Sequence, residues 1–211
     1  MKALVVGAGG LGSAVAERLR HDFEVVLVSR SGRNGTLALP LPCAFEAPGS
    51  LGLVVWAAGE PVPQKFVGDV ADWSGVAREI EAFTCLVSGV LPALRATSGS
   101  LVALTTAALD RHAPADVLST APKAAISAIV RAVAREEGRN GVRANEVAVG
   151  WIDAGMARVI DFPEGWEDRA RRNIPLGRPG RADEVADAVA FLASALYVTG
   201  QRLAVDGGYS V

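Results

Sequence analysis

The chain has 211 residues, 50% hydrophobic and 21% charged, with a net charge of −2. That length supports one domain with a sizeable core, and the charge balance gives no basic excess to mark nucleic acid as the partner. The two cysteines, Cys43 and Cys85, are far apart and lack Cys-x-x-Cys or zinc-type spacing, so no metal site is expected and free thiols in a reducing cytoplasm are.

In chain order, short β-rich runs alternate with helical patterns, the signature of βαβ units and a parallel sheet. The run after Met1-Lys2 is too short for a signal-peptide core and reads instead as a buried strand over 3–6. A helix follows over 13–20, with Val15, Ala16 and Leu19 on one face, then strands over 24–29 and 53–57. Residues 31–53 carry Gly32, Gly35, Pro40, Pro42, Pro48 and Gly49, so no helix is expected there, only a stub of strand at 43–45. A long helical pattern covers 70–94, with Val76, Ile80, Phe83, Val87, Val90 and Leu94 at spacings of three and four. A strand over 101–104 precedes a helix over 122–138, which Gly138 stops. Strands over 142–149 and 201–206 flank a helix over 183–194, and 156–180 reads as an irregular lid. No segment reaches the roughly 20 apolar residues of a membrane span. The expected architecture is α/β: a single Rossmann-like domain over 1–211, a doubly wound parallel sheet flanked by helices, in a cytoplasmic protein.

Gly7-Ala8-Gly9-Gly10-Leu11-Gly12 satisfies Gly-x-Gly-x-x-Gly between a predicted strand and a predicted helix. Glycine permits the tight turn and the approach of a pyrophosphate, and the helix N-terminus supplies free N–H groups. The alternative is a glycine-rich turn with no ligand. The second strand ends in Ser29-Arg30-Ser31, with no carboxylate to hold a ribose 2′-hydroxyl. A guanidinium suits a 2′-phosphate, so NADP(H) is expected over NAD(H); otherwise Arg30 is a solvated surface charge.

The C-terminal half carries Gly99-Ser-Leu-Val-Ala-Leu-Thr-Thr106, Gly141-Val-Arg-Ala-Asn145, Gly150-Trp-Ile-Asp153, Asn173-Ile-Pro-Leu-Gly-Arg-Pro-Gly180, Tyr197-Val-Thr-Gly-Gln201 and Val205-Asp-Gly-Gly-Tyr209. From Gly99 to Val211 the chain resembles the short-chain dehydrogenase/reductase family, and with the glycine loop the resemblance covers nearly the whole sequence, thinnest over 31–98. It implies a nicotinamide site that includes Ala57, Ala58, Gly59, Gly150 and Ile152, and a catalytic Ser, Tyr and Lys acting on a small carbonyl or alcohol substrate. Lys123 fits the lysine and Thr106 (or Thr105) the serine. Ser119 stands where the tyrosine is expected, and a serine hydroxyl is a far weaker acid than a phenol. Pro122 suggests that the helix starts there and leaves Ser119 ahead of it. The family's Asn-Asn-Ala-Gly turn is Trp56-Ala-Ala-Gly59 here, and its helical asparagine falls near Glu79.

His112 is a candidate replacement acid in the loop after Thr106, with Asp110 and Asp116 beside it; solvated loop residues are the plainer reading. Tyr197 and Tyr209 occupy positions that the resemblance assigns to packing. Trp151, Met156, Phe162 and Trp166 either line a substrate pocket or pack the lid. Three readings stay open: a reductase with an altered acid, a non-redox isomerase, dehydratase or cyclase, and an NADP(H)-binding sensor or partner subunit. The helices over 70–94 and 122–138 resemble those that pair in family oligomers, so a homodimer or homotetramer is expected.

Overall fold

The computed structural model describes residues 1–30, 32, 36–38, 50–59, 72–113, 115–158 and 164–211. Seven strands among them form one sheet: β1 (Lys2–Val6), β2 (Glu24–Ser29), β3 (Leu37–Ala38), β4 (Leu51–Trp56), β5 (Ser100–Thr106), β6 (Arg143–Val149) and β7 (Arg202–Val205). Their order is β3-β2-β1-β4-β5-β6-β7, with every neighbouring pair parallel. The order reverses between β1 and β4, and in such sheets the crevice beyond the strand ends at that reversal is where ligands bind.

Strands buried on both faces need apolar residues at successive positions, and Ala3-Leu4-Val5-Val6 shows why. Leu4 and Val6 join a core with α2 (Ser74–Thr97) and α3 (Val117–Glu137). Ala3 and Val5 join a second core with α1 (Gly10–Leu19) and α5 (Ala182–Ser194). Helix α2 and the stretch Val117–Asn140 have the length and hydropathy of membrane spans, contrary to the sequence expectation. They nevertheless pack as core helices: Phe83, Leu86, Val90, Leu94, Ile126 and Val130 are fully buried.

Other expectations shift. Helix α1 begins at Gly10, directly from the glycine loop, because packing overrides the low helix propensity of glycine. Helix α3 begins at Val117, not at Pro122, and holds Pro122 inside it. Proline lacks only its own N–H, so near a helix start this costs one bond, to the carbonyl of Leu118. Ser119 is therefore helical, one turn before Lys123. A fourth helix, α4 (Trp166–Asn173), lies in the stretch expected to be irregular. None of its residues is fully buried and most are charged, while acids in its first turn and arginines in its last suit the helix dipole. The described short edge strand is β3; residues 43–45 lie outside the described residues, as do Ser31, Arg33 and Phe162.

The ends of α2 and α3 are tied by a two-pronged pair. Arg95 donates from Nε to one Glu137 oxygen at 2.7 Å and from an η nitrogen to the other at 2.6 Å. With Asn140 also donating, the Glu137 carboxyl is pushed down from about 4.5 to about 2. A depressed folded pKa means that this stabilisation is complete above about 4.5 and is lost as pH falls through about 2. Glu137→Gln is expected to lower Tm at pH 7, and the gap from the unaltered chain should close across that window in thermal unfolding followed by circular dichroism.

Candidate functional site

The glycine loop leaves β1 at the reversal point. Gly7 has φ +109°, and a Cβ there would meet the Ala57 carbonyl at 2.6 Å. A Cβ on Gly12 would lie 1.8 Å from the Gly7 oxygen, and one on Gly10 would lie 2.5 Å from the Gly155 nitrogen. Gly9 differs: a Cβ there meets nothing within 4 Å. Gly9 is the N-cap of α1 and supplies no side-chain cap. The first N–H groups of α1 therefore need an outside acceptor, which a pyrophosphate provides. Leu11 packs against the α1/α5 core. The loop thus has packed glycines on one side and room for an anion on the other, which fits a dinucleotide.

Ser29 ends β2 with its hydroxyl 2.7 Å from Thr36 Oγ1 and accepts the Gly32 N–H at 3.1 Å. It shapes the turn that presents exposed Arg30. Beyond β4, the N–H of Ala57 donates to the Val6 carbonyl at 2.7 Å. The carbonyl of Ala58 accepts from Lys123 Nζ at 3.0 Å; Gly59 follows. Lys123 also pairs with Glu79 of α2, and the two side chains are only 11% and 13% exposed.

Thr106 ends β5. Its Oγ1 accepts the N–H of Ala108 at 3.1 Å, and its carbonyl accepts from Arg202 at 2.6 Å. Arg202 also pairs with Asp110, so Asp110 braces the end of β5. Thr105 is not interchangeable with Thr106. It is buried and donates to Glu146 at 2.8 Å. Glu146, buried in the middle of β6, also accepts from Ser127 at 2.6 Å and ties β5, β6 and α3 together. Sequence reading missed Arg202 and Glu146. The available signal was a charge within a strand expected to be buried.

Beyond β6, a Cβ on Gly150 would meet Asp206 at 2.6 Å. Ile152 is buried, bridges to Gly180, and gives its carbonyl to the Ala154 N–H at 2.7 Å, so its side chain serves the core. His112 is exposed. Asp116 accepts from Thr120 at 2.9 Å and precedes the first turn of α3. Tyr197 is fully exposed rather than packed, whereas the Tyr209 ring lies under the Arg111 guanidinium at 5.0 Å. The rings of Trp151 and Trp166 meet edge to face at 5.0 Å, with Arg171 over Trp151 at 5.5 Å. Among the described residues, no group of three or more His, Cys, Asp and Glu could hold a metal ion.

Residues 68–210 match the family model described as Enoyl-(Acyl carrier protein) reductase. The chain is 33% identical over 141 residues to the 3-oxoacyl-[acyl-carrier-protein] reductase FabG of Chlamydia trachomatis, covering 65% of this chain and 56% of that protein. It is 35% identical over 150 residues to the acetoacetyl-CoA reductase of Synechocystis, covering 66% and 59%. It thus spans about half the length of the curated relatives it matches. A solved short-chain dehydrogenase/reductase family protein superposes with TM-score 0.83 at 30% identity, covering 100% and 98% of the two chains. A structure from Agrobacterium tumefaciens with bound NADP superposes with TM-score 0.87 at 25% identity, covering 99% and 95%. The chain belongs to the short-chain dehydrogenase/reductase family.

Proposed function

We propose that the chain is an NADP(H)-dependent oxidoreductase that interconverts a small carbonyl compound and its alcohol without the usual phenol. The observation that carries this reading is the ammonium of Lys123, fixed at 3.0 Å on the Ala58 carbonyl at the end of β4, the strand next to the glycine loop. Gly7, Gly9, Gly10, Leu11, Gly12, Ala57, Ala58, Gly59, Gly150 and the backbone of Ile152 would hold the dinucleotide, which supplies or accepts hydride when bound. The Thr106 hydroxyl, held at the end of β5, would polarise the carbonyl, and Ser119 would pass the proton.

Ser29 in place of a carboxylate, with exposed Arg30 beside it, supports a 2′-phosphate; Ser31 is proposed as a further contact. One relative was solved with NADP and another, a 3-ketoacyl-(acyl-carrier-protein) reductase from Brucella melitensis, with NADH. The relatives' names point to 3-oxoacyl thioesters, so acetoacetyl-CoA is the first substrate to try. We also propose that α2 and α3 pair copies of the chain into a homodimer or homotetramer.

Calorimetric titration with NADPH and NADH tests the cofactor assignment. NADPH is expected to bind in the micromolar range and about tenfold or more tighter than NADH, with Arg30→Ala removing that margin, as one charge-assisted contact would. Equal affinities would remove the 2′-phosphate assignment, and no binding would remove the dinucleotide. Binding without turnover would leave the sensor or partner-subunit reading, which Ser119 favours.

A further inference from the structure

This inference rests on the dinucleotide-binding reading. A pyrophosphate on the glycine loop would be doubly negative, while a helix N-terminus supplies only about half a positive charge. The loop adds none of its own. Residues 7–13 hold no basic side chain, Gly9 gives no side-chain cap, and the Ser13 hydroxyl donates to the Ala8 carbonyl at 3.3 Å. Lys123 is engaged by Glu79 and the Ala58 carbonyl. What the structure lays against the loop is the short 3₁₀ turn Gly155–Arg158. Gly155 has φ +58°, and a Cβ there would lie 3.6 Å from the Gly10 nitrogen and 3.8 Å from the Leu11 nitrogen. Those are the first two backbone nitrogens of α1, so the side-chain direction at Gly155 points at the N-terminus of α1. Side chains three apart in a 3₁₀ helix eclipse one another. Arg158 therefore leaves the turn from that same face, about 6 Å further along its axis.

The guanidinium is turned back on its own segment. Its Nε donates to one Asp153 oxygen at 3.1 Å and an η nitrogen to the other at 3.4 Å. Both side chains are mostly exposed, 67% and 64%, and a solvated pair of this kind is worth little and gives way to a stronger partner. We propose that Arg158 is a cofactor-binding residue, which leaves Asp153 and closes on the pyrophosphate when the dinucleotide binds. The exchange replaces an exposed carboxylate with a doubly charged group seated on the N–H groups of α1. A guanidinium fork matches two phosphate oxygens as well as it matches a carboxylate. The turn stays where Gly10 and Gly155 pack it, and only the side chain moves. Arg158 and Arg30 then divide the cofactor: Arg30 reads the 2′-phosphate, and Arg158 the pyrophosphate that NADP(H) and NAD(H) share.

Calorimetric titration of the full chain with NADPH and with NADH tests this. Arg158→Ala is expected to weaken both about tenfold and by the same factor, as the loss of one charge-assisted contact would, whereas Arg30→Ala acts on NADPH alone. Asp153→Asn frees the guanidinium in advance and is expected to tighten both about threefold. In the double variant, Asp153→Asn with Arg158→Ala, that gain should vanish, because the side chain it releases is gone. Both positions are exposed, so circular dichroism should find all three variants folded. A Kd for NADPH that stays within about twofold in Arg158→Ala overturns the inference and leaves the dinucleotide reading standing. A loss confined to NADPH would put Arg158 on the 2′-phosphate and overturn the pyrophosphate assignment. A gain from Asp153→Asn that persists without Arg158 would mean that the carboxylate only repels the anion, and overturns the exchange. No binding of either nucleotide by the unaltered chain overturns the dinucleotide reading, and this inference with it.

Discussion

Gly12→Ala is expected to cost about 3 kcal/mol or more of stability and to abolish NADPH binding, whereas Gly9→Ala keeps the fold and loses only the binding. Gly12 lies within α1, where alanine normally gains about 1 kcal/mol over glycine. Here the added carbon would sit 1.8 Å from the backbone oxygen of Gly7. Neither partner is a flexible side-chain end, so the strand-to-helix turn must open, and overpacking of this kind outweighs the propensity gain. Gly9 has ordinary extended backbone, φ −73° and ψ −176°, which alanine adopts without strain. Its Cβ meets no protein atom, so urea denaturation should find Gly9→Ala as stable as the unaltered chain or better by about 0.5 kcal/mol. The same carbon projects into the room left beside the N-terminus of α1, and calorimetry should record at least about a tenfold loss of NADPH affinity. Equal losses of stability in the two variants would mean that the loop is only a turn.

The second large effect is Lys123→Ala. Removing the ammonium leaves the Glu79 carboxylate, 13% exposed, without its cation and takes a donor from the Ala58 carbonyl. Breaking a buried pair from one side typically costs about 3–5 kcal/mol, much more than a surface pair is worth. The double variant Lys123→Met with Glu79→Leu removes both charges and fills the space, and should recover most of that loss. Chemical denaturation at pH 7 distinguishes the cases. A cost below about 1 kcal/mol for Lys123→Ala would show that water screens the pair, and that Glu79 does not fix the lysine head.

The sheet was legible because both of its faces are buried. Runs such as Ala3–Val6 and Leu51–Trp56 have no polar face to confuse with a helix, and the helices between them show a periodic apolar stripe. The glycine loop was legible because its spacing is a steric demand: Gly7 and Gly12 have backbone where a side chain would be. Helix α4 was not legible, since it is short and mostly charged, with only Trp166 and Ala170 apolar. The start of α3 was misplaced because Pro122 is a local signal, and the packing of Leu118 and Ile126 on either side of it outweighs the one lost hydrogen bond.

The sequence by itself determined a parallel α/β sheet and the position of the glycine loop, which follow from periodicity and spacing, both local along the chain; the roles expected of Thr106, Ser119 and Lys123 came from the family resemblance. Only the tertiary structure decided that Thr105 belongs to Glu146 while Thr106 ends the strand under Arg202. Only it decided that Ser119 is helical, and that Glu79, forty-four residues from Lys123, holds the lysine. Those are contacts between distant elements. A charge in a strand or on a helix face acquires its role from the partner that folding places against it, because burial makes an unpaired charge costly and a paired one specific.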